Sequence, residues 1–195
     1  MSRGSVVVRP AVPEDACALV EVWTTGRTDA TVSAEGDLSH DAPRVREASS
    51  CIAQVAADPE QQMLVADADG TVMGAVHLRR GRISPIQQAE AVHVTHLHVH
   101  PRHRRRGIAS ALLEAATAWA DEKDSSHLVA VAPSSSREAQ RFLARLGFSQ
   151  VAVVRAAATS ALRHRFTAAV GARDTSRLVA ARRTLRRRRV SLATG

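Results

Sequence analysis

Five of the nine histidines of this 195-residue chain, and four arginines, lie between residues 93 and 106. Arg104-Arg105-Arg106-Gly107-Ile108-Ala109 follows Pro101 and precedes apolar residues at helical spacing. The first N–H groups of a helix lack an intrahelical acceptor and its dipole favours negative charge there, so a phosphate fits this position. Gly107 permits a positive φ or a close backbone approach, Ala109 keeps the first turn small, and the guanidinium groups suit a pyrophosphate. Just upstream, His93, His96, His98 and His100 interleave with Val92, Val94, Leu97 and Val99. An imidazole with a pKa of about 6.5 is mostly neutral at pH 7 and can accept a proton. His96, His98 and His100 have no carboxylate or Cys nearby and match no standard zinc pattern, so no metal site is expected.

The surrounding pattern supplies elements to hold these groups. Val6 to Arg9 reads as a strand, and Pro13-Glu14-Asp15 opens a helix carrying Cys17, Leu19, Val20 and Trp23. Thr24 to Asp41 is polar and reads as a long loop, and Pro43 to Ala57 reads as a second helix. Met63 to Ala66 and Val72 to Leu78 flank Asp67-Ala-Asp-Gly70, a hairpin signal, and Arg79 to Glu90 reads as a polar connection. Val92 to Val99 is then a strand, and Ile108, Leu112, Ala115, Ala116 and Trp119 give the next helix a buried stripe. Leu128 to Ala132 reads as a short buried strand, with Ser134 to Ser136 capping a helix that carries Ala139, Phe142, Leu143 and Leu146 and ends at Gly147. The order β, loop, α, β, α implies two parallel strands joined by a right-handed crossover.

Composition narrows the class. The chain is 45% hydrophobic and 24% charged with a net charge of +8, which suits one globular domain with an extension. No apolar run approaches the roughly 18 residues of a membrane span, and Met1 to Pro10 lacks the features of a signal peptide, so a cytoplasmic protein is expected. Cys17 and Cys51 have no CxxC spacing and are expected to be free thiols. Charge is unevenly placed: residues 1–154 hold 16 basic and 18 acidic residues, whereas 155–195 hold 11 Arg and only Asp174. Thr175 to Val190 reads as a basic amphipathic helix that could dock on the domain, line a partner interface or touch nucleic acid or an acidic membrane. Tyr is absent and aromatics are 3%, which argues against modules that stack bases on aromatic platforms.

The segment Leu97-His-Val-His-Pro-Arg-His-Arg-Arg-Arg-Gly-Ile-Ala109 resembles the acetyl-CoA motif of the GNAT-superfamily N-acetyltransferases: Arg or Gln, two residues, Gly, one residue, then Gly or Ala. Ala139 to Phe148 is similar to the family's second helix with its Gly-Phe ending, and the resemblance covers roughly residues 5–155. It implies an α/β (α+β) fold with a mixed, twisted central sheet, flanked by helices, whose two neighbouring parallel strands splay apart around acetyl-CoA. Residues 1–155 would form this domain and 156–195 a basic extension. By resemblance, the backbone of Leu97, His98 and Val99 would pair with the pantetheine arm. Arg104, Arg105, Arg106, Gly107, Ile108, Ala109 and Ser110 would hold the pyrophosphate, with Ser136 and Phe142 completing the donor site.

The implied reaction moves acetyl from acetyl-CoA to a primary amine of a small molecule or peptide. Such an amine must first lose a proton. His93 falls where some members place a base, and Thr95, of the same strand parity, could order a relay water, although the bulge the family has in this strand makes parity unreliable. Leu143 stands where the family commonly has a Tyr that protonates the departing sulfur, leaving Ser134, Ser135 or water to assist. This departure keeps a second reading open, a slow or non-catalytic acyl-CoA-binding regulatory protein. Asp29, Glu35, Asp37 and Asp41 of the long loop are candidate partners for a cationic acceptor, whose identity the sequence does not specify. A homodimer is compatible with the sequence.

Overall fold

The computed structural model describes residues 5–27, 44–83, 86, 89–133, 135–155 and 157–167. The described residues up to Val151 belong to one compact unit and those from Ala152 onward to a second. The second contains a helix at residues 159–167 whose residues are all exposed.

The first unit is built on strands β1 (Val7–Pro10), β2 (Gln61–Ala68), β3 (Thr71–Arg82), β4 (Glu90–Val99) and β5 (Leu128–Ala130), paired in that order. The first four are antiparallel neighbours and β5 runs parallel to β4. Helices α1 (Ala16–Arg27) and α2 (Val45–Ala57) precede β2, α3 (Ile108–Glu122) is the crossover to β5, and α4 (Arg137–Arg145) follows it. This is the mixed sheet flanked by helices that the GNAT resemblance implies.

Each face of the sheet buries a separate core. On one, Val76, Leu78, Val92 and Val94 meet Ile108, Leu112, Leu113, Ala116, Trp119 and Ala120 of α3. On the other, Val65 and Ala75 meet Ala16 and Leu19 of α1 and Ile52 of α2, with Trp23 and Met63 at its edge. Near α1, Arg9 donates to Asp15 at 2.7 and 2.8 Å and to Asp67 at 2.9 Å, while Asp15 also accepts from the Val12 amide at 2.9 Å. These bonds tie β1, β2 and the entry to α1.

Several boundaries differ from those read in the sequence. The helix α1 continues through Thr24 and Thr25 to Arg27, and β3 continues through Arg79 to Arg82, where a polar connection was expected. Arg80 makes that extension possible, because its guanidinium reaches Glu60 and Glu90 from a sheet surface. The strand β5 stops at Ala130, and Leu146 of the α4 stripe is 48% exposed. The Asp67–Gly70 hairpin forms as read: Asp69 and Gly70 take φ of 52° and 79°, and Asp67 accepts from the Gly70 amide at 2.9 Å.

The register of β4 explains its mixed apolar and histidine pattern. Thr95 lies opposite His77 and His98 opposite Ala75, so His96 and Leu97 together face the single residue Val76. This bulge, with His96 at φ 51°, reverses the alternation. Val92, Val94, Leu97 and Val99 therefore all serve the α3 core, while Thr95 and His98 share the α1 face with His77.

Candidate active site

The loop before α3 has the backbone of an anion cradle. A 3₁₀ turn at Pro101–His103 leads through Arg104, Arg105 and Arg106 to Gly107, which caps α3 at φ 80° and ψ 0°. Arg105 is also left-handed at φ 64°. Arg104 before it is extended, with φ −61° and ψ 159°, and the amides of Ile108, Ala109 and Ser110 stand at a helix start without an intrahelical acceptor. A Cβ on Gly107 would meet nothing within 4 Å, so its backbone conformation, not lack of space, calls for glycine. Arg102, Arg105 and Arg106 are exposed and Arg104 is half-buried. Arg105 reaches Glu138 in the first turn of α4 at 3.3 Å.

The strand leading into this loop loses its neighbour at the same end. The strand β5 pairs with β4 at Val92–Leu128, His93–Val129 and Val94–Ala130, with a last bond from the Val131 amide to the Val94 carbonyl at 3.1 Å. From Thr95 to Val99, β4 pairs with β3 alone among the described residues. The parallel strands thus part beyond Val94, leaving the Leu97–Val99 edge beside the opening. Gly74, which the sequence did not single out, brings these parts close together. A Cβ there would lie 2.9 Å from the His98 carbonyl and 3.0 Å from Ile108 Cγ2.

The polar groups under α1 form a cluster. Trp23 packs its ring 5.7 Å from His96 and 5.2 Å from His98, and His77 lies 6.4 Å from His96, ring centroid to centroid. His77 places Nδ1 2.9 Å from Thr95 Oγ1 and Nε2 2.9 Å from Gln61 Oε1. Burial, reinforced by His96 and Arg79, pushes the His77 imidazole below its ordinary pKa, and burial pushes His96 the same way although that residue keeps an exposed edge. His100 joins the end of the strand to α1, with Nε2 3.5 Å from Glu21 Oε1, and its Nδ1 accepts from the Arg102 amide. Its ring also packs against His103, where burial and the nearby Arg106, His100 and Arg102 lower the pKa. Among the described residues no group of His, Cys, Asp and Glu is arranged to hold a metal.

The sequence candidates therefore divide into sets. Leu97, His98, Val99 and Arg104 to Ser110 converge on the opening and the helix start. Thr95 is the first residue beyond the last β4–β5 pair, whereas His93 remains in register with Val129, its ring near Gly81. Ser136 caps α4 by accepting from the Ala139 amide at 3.3 Å, which leaves its hydroxyl proton available. Phe142 and Leu143 pack partly buried against the α3 core. Ser134, the acidic residues Asp29, Glu35, Asp37 and Asp41, and the basic tail from Thr175 lie outside the described residues. Reading the sequence missed His77, Gln61 and Trp23. A polar side chain inside an otherwise apolar β3 was the available signal for the first.

The family model of the GNAT acetyltransferases matches residues 25–148. The chain belongs to the GNAT acetyltransferase family. No curated protein matches this GNAT sequence, but solved structures share its fold. A ribosomal-protein-alanine N-acetyltransferase from Brucella melitensis biovar Abortus 2308 is 21% identical with a TM-score of 0.57, over 77% of this chain and 99% of that one. A transcriptional regulator from Bacillus halodurans C-125 is 17% identical with a TM-score of 0.64, over 77% and 97%. A predicted acetyltransferase from Clostridium acetobutylicum, solved with acetyl-CoA, is 17% identical with a TM-score of 0.58, over 75% and 92%. The GNAT match begins after Trp23 and Glu21, spans the cradle, the opened strands and the β2, β3 and β4 residues of the cluster under α1, and ends at Phe148. No helix among the described residues is long and apolar enough to cross a membrane.

Proposed function

We propose that this GNAT protein transfers the acetyl group of acetyl-CoA to a primary amine of a small molecule or peptide. The observation that carries this reading is the parting of β4 and β5 beyond Val94 and Ala130, beside a helix start whose loop supplies Arg104, Arg105 and Arg106. The site fits the donor in chemistry: an extended strand edge for an amide-bearing arm, and amides with cationic side chains for a pyrophosphate. Leu97, His98 and Val99 would hold the arm by their backbone, and residues 104–110 the pyrophosphate. The Ser136 hydroxyl proton and the Phe142 ring would take up the remainder. Bound there, acetyl-CoA supplies an acyl group activated as a thioester.

The residues of the chain must then orient the amine and relieve it of a proton. An alkylammonium with a pKa near about 10.4 is not a nucleophile at neutral pH. That acceptor belongs on the face opposite the α3 core, which carries His93 and Thr95 of β4. Exposed Cys17 and Cys51 suit a reducing cytoplasm as its setting.

Saturating acetyl-CoA should raise the melting temperature, and a broad amine and peptide panel should release free CoA thiol. Gly107→Asp, which strains the cap and sets a carboxylate in the anion cradle, should abolish the thermal shift. No shift with wild type, together with wild-type behaviour of Gly107→Asp, would overturn the reading. Leu143 supports the alternative reading, since an apolar side chain at that place cannot protonate a departing thiolate. Thermal stabilisation without thiol release would favour that slow or non-catalytic acyl-CoA-binding protein.

A further inference from the structure

A hydrogen-bond chain crosses the sheet from the end of α2 to the point where β4 and β5 part. Asp58, the C-cap residue of α2, accepts through Oδ2 from Gln61 Nε2 at 2.6 Å. The Gln61 bond and a second from the Glu60 amide hold this carboxyl below its ordinary pKa, so it is ionised and can only accept. The Gln61 amide is thereby fixed with Oε1 toward His77 Nε2 at 2.9 Å. An amide oxygen has no proton to give, so Nε2 carries the hydrogen and neutral His77 keeps its lone pair on Nδ1. That nitrogen lies 2.9 Å from Thr95 Oγ1, whose hydroxyl can donate to it. The direction of every bond follows from the carboxylate end, and the oxygen of Thr95 retains a lone pair.

We propose that Thr95 and His77 form the proton relay of this acetyltransferase, Thr95 touching the acceptor amine and His77 receiving the proton through it. The relay rests on the acetyl-transfer reading above. Thr95 is the first β4 residue beyond the last β5 pair, so its hydroxyl stands on the α1 face at the opening, whereas His93 is still paired with Val129. In the step, the ammonium gives one proton to Thr95 Oγ1 as the hydroxyl proton moves to His77 Nδ1. The freed nitrogen lone pair forms the C–N bond while the C–S bond breaks with its electrons going to sulfur. The second amine proton neutralises the sulfur, and the imidazolium returns its proton to solvent. Protonated His77 donates from Nδ1 to Thr95, whose hydroxyl can then turn to the His77 carbonyl at 3.3 Å, so the charged state keeps its hydrogen bonds.

Around His77 stand His96, its ring neighbour on β4, Arg79 on β3 and Gln61 with Asp58 behind it; Trp23 of α1 and His98 lie beyond His96, and Glu21 of α1 lies against His100. Burial, His96 and Arg79 all lower its pKa. The acid limb of kcat/KM for the amine should therefore lie below about 6.5, the ordinary value for His.

His77→Gln, which cannot titrate, should lower kcat about 10²-fold, remove this limb and leave the KM for acetyl-CoA unchanged. Thr95→Val should match it, and Thr95→Ser should restore the rate. Independently of turnover, ¹⁵N NMR of the imidazoles in ligand-free protein should show His77 as the Nε2–H tautomer, with that preference lost in Gln61→Leu. A wild-type rate and limb in His77→Gln, a limb that disappears in His93→Gln instead, or an Nδ1–H tautomer would overturn the relay. Wild-type turnover of the amine panel tests the underlying reading separately: absent turnover overturns acetyl transfer, whereas turnover with an unaltered His77→Gln overturns the relay alone.

Discussion

Gly74 shows how one absent side chain can position a site. The Cβ of Gly74→Ala would press on the His98 carbonyl at 2.9 Å and on Ile108 Cγ2 at 3.0 Å, and the first is backbone that cannot rotate away. Forcing these apart should cost roughly 1–3 kcal/mol, as overpacking usually does. The substitution should lower the denaturation midpoint and, by moving the start of α3 from β4, weaken acetyl-CoA binding more than a distant mutation of equal cost. Asp15 gives a pH-dependent counterpart on the other face. Its bonds to Arg9, helped by the Val12 amide, hold its carboxyl below the ordinary value of 3.8, against an opposing effect of burial. A carboxylate whose pKa is depressed on folding adds stability that is full above its unfolded pKa and is lost as pH falls through the folded one. Asp15→Asn should therefore cost about 2 kcal/mol at pH 7, and the gap to wild type should close only below about pH 4, in chemical denaturation across pH.

The α3 N-terminus is the element on which the proposed donor binding would depend, and its cap can be tested apart from its charge. Gly107→Ala meets no atom within 4 Å but must hold φ at 80°, so it should cost about 1–2 kcal/mol with no steric clash. Its melting temperature should fall while the additional stabilisation by saturating acetyl-CoA persists, unlike Gly107→Asp. The helix, its glycine cap and the preceding strand were legible in residues 91–122 because period, Pro101 and Gly107 agree locally. The reach of β3 to Arg82 was not, since the charges of Arg79, Arg80 and Arg82 read as loop until Glu60 and Glu90 are brought beside Arg80. Strand parity holds from His93 to Thr95 but reverses at the bulge of His96 and Leu97, and only pairing with β3 fixes where that occurs. Leu97 to Ser110, the main part of the proposed donor site, is a contiguous motif that could be read from sequence. The Asp58–Gln61–His77–Thr95 chain draws on three elements and the end of a helix, so sequence spacing carries no trace of it.

At the scale of the molecule, the net charge of +8 describes neither part of the chain. Residues 1–155 hold 17 basic and 18 acidic residues, whereas 156–195 hold ten Arg against Asp174. Among the described residues, every member of the two hydrophobic cores lies before residue 144. Ending the chain at Arg155 should leave the acetyl-CoA-induced thermal shift and any amine turnover unchanged, because the cradle, the opening and the relay residues all remain. The same truncation should abolish retention on a cation-exchange or heparin column at neutral pH and low salt. Long-range attraction to a polyanion follows the arginines, not the fold, and weakens steeply as salt screens it. Duplex DNA of arbitrary sequence separates the two properties most sharply: affinity of the full chain should fall linearly on a plot of log K against log salt, and the truncated chain should show none. Undiminished DNA binding by the truncated protein would instead assign the charge-dependent surface to the Arg102–Arg106 loop. In that event acetyl-CoA should compete with DNA for the same guanidinium groups.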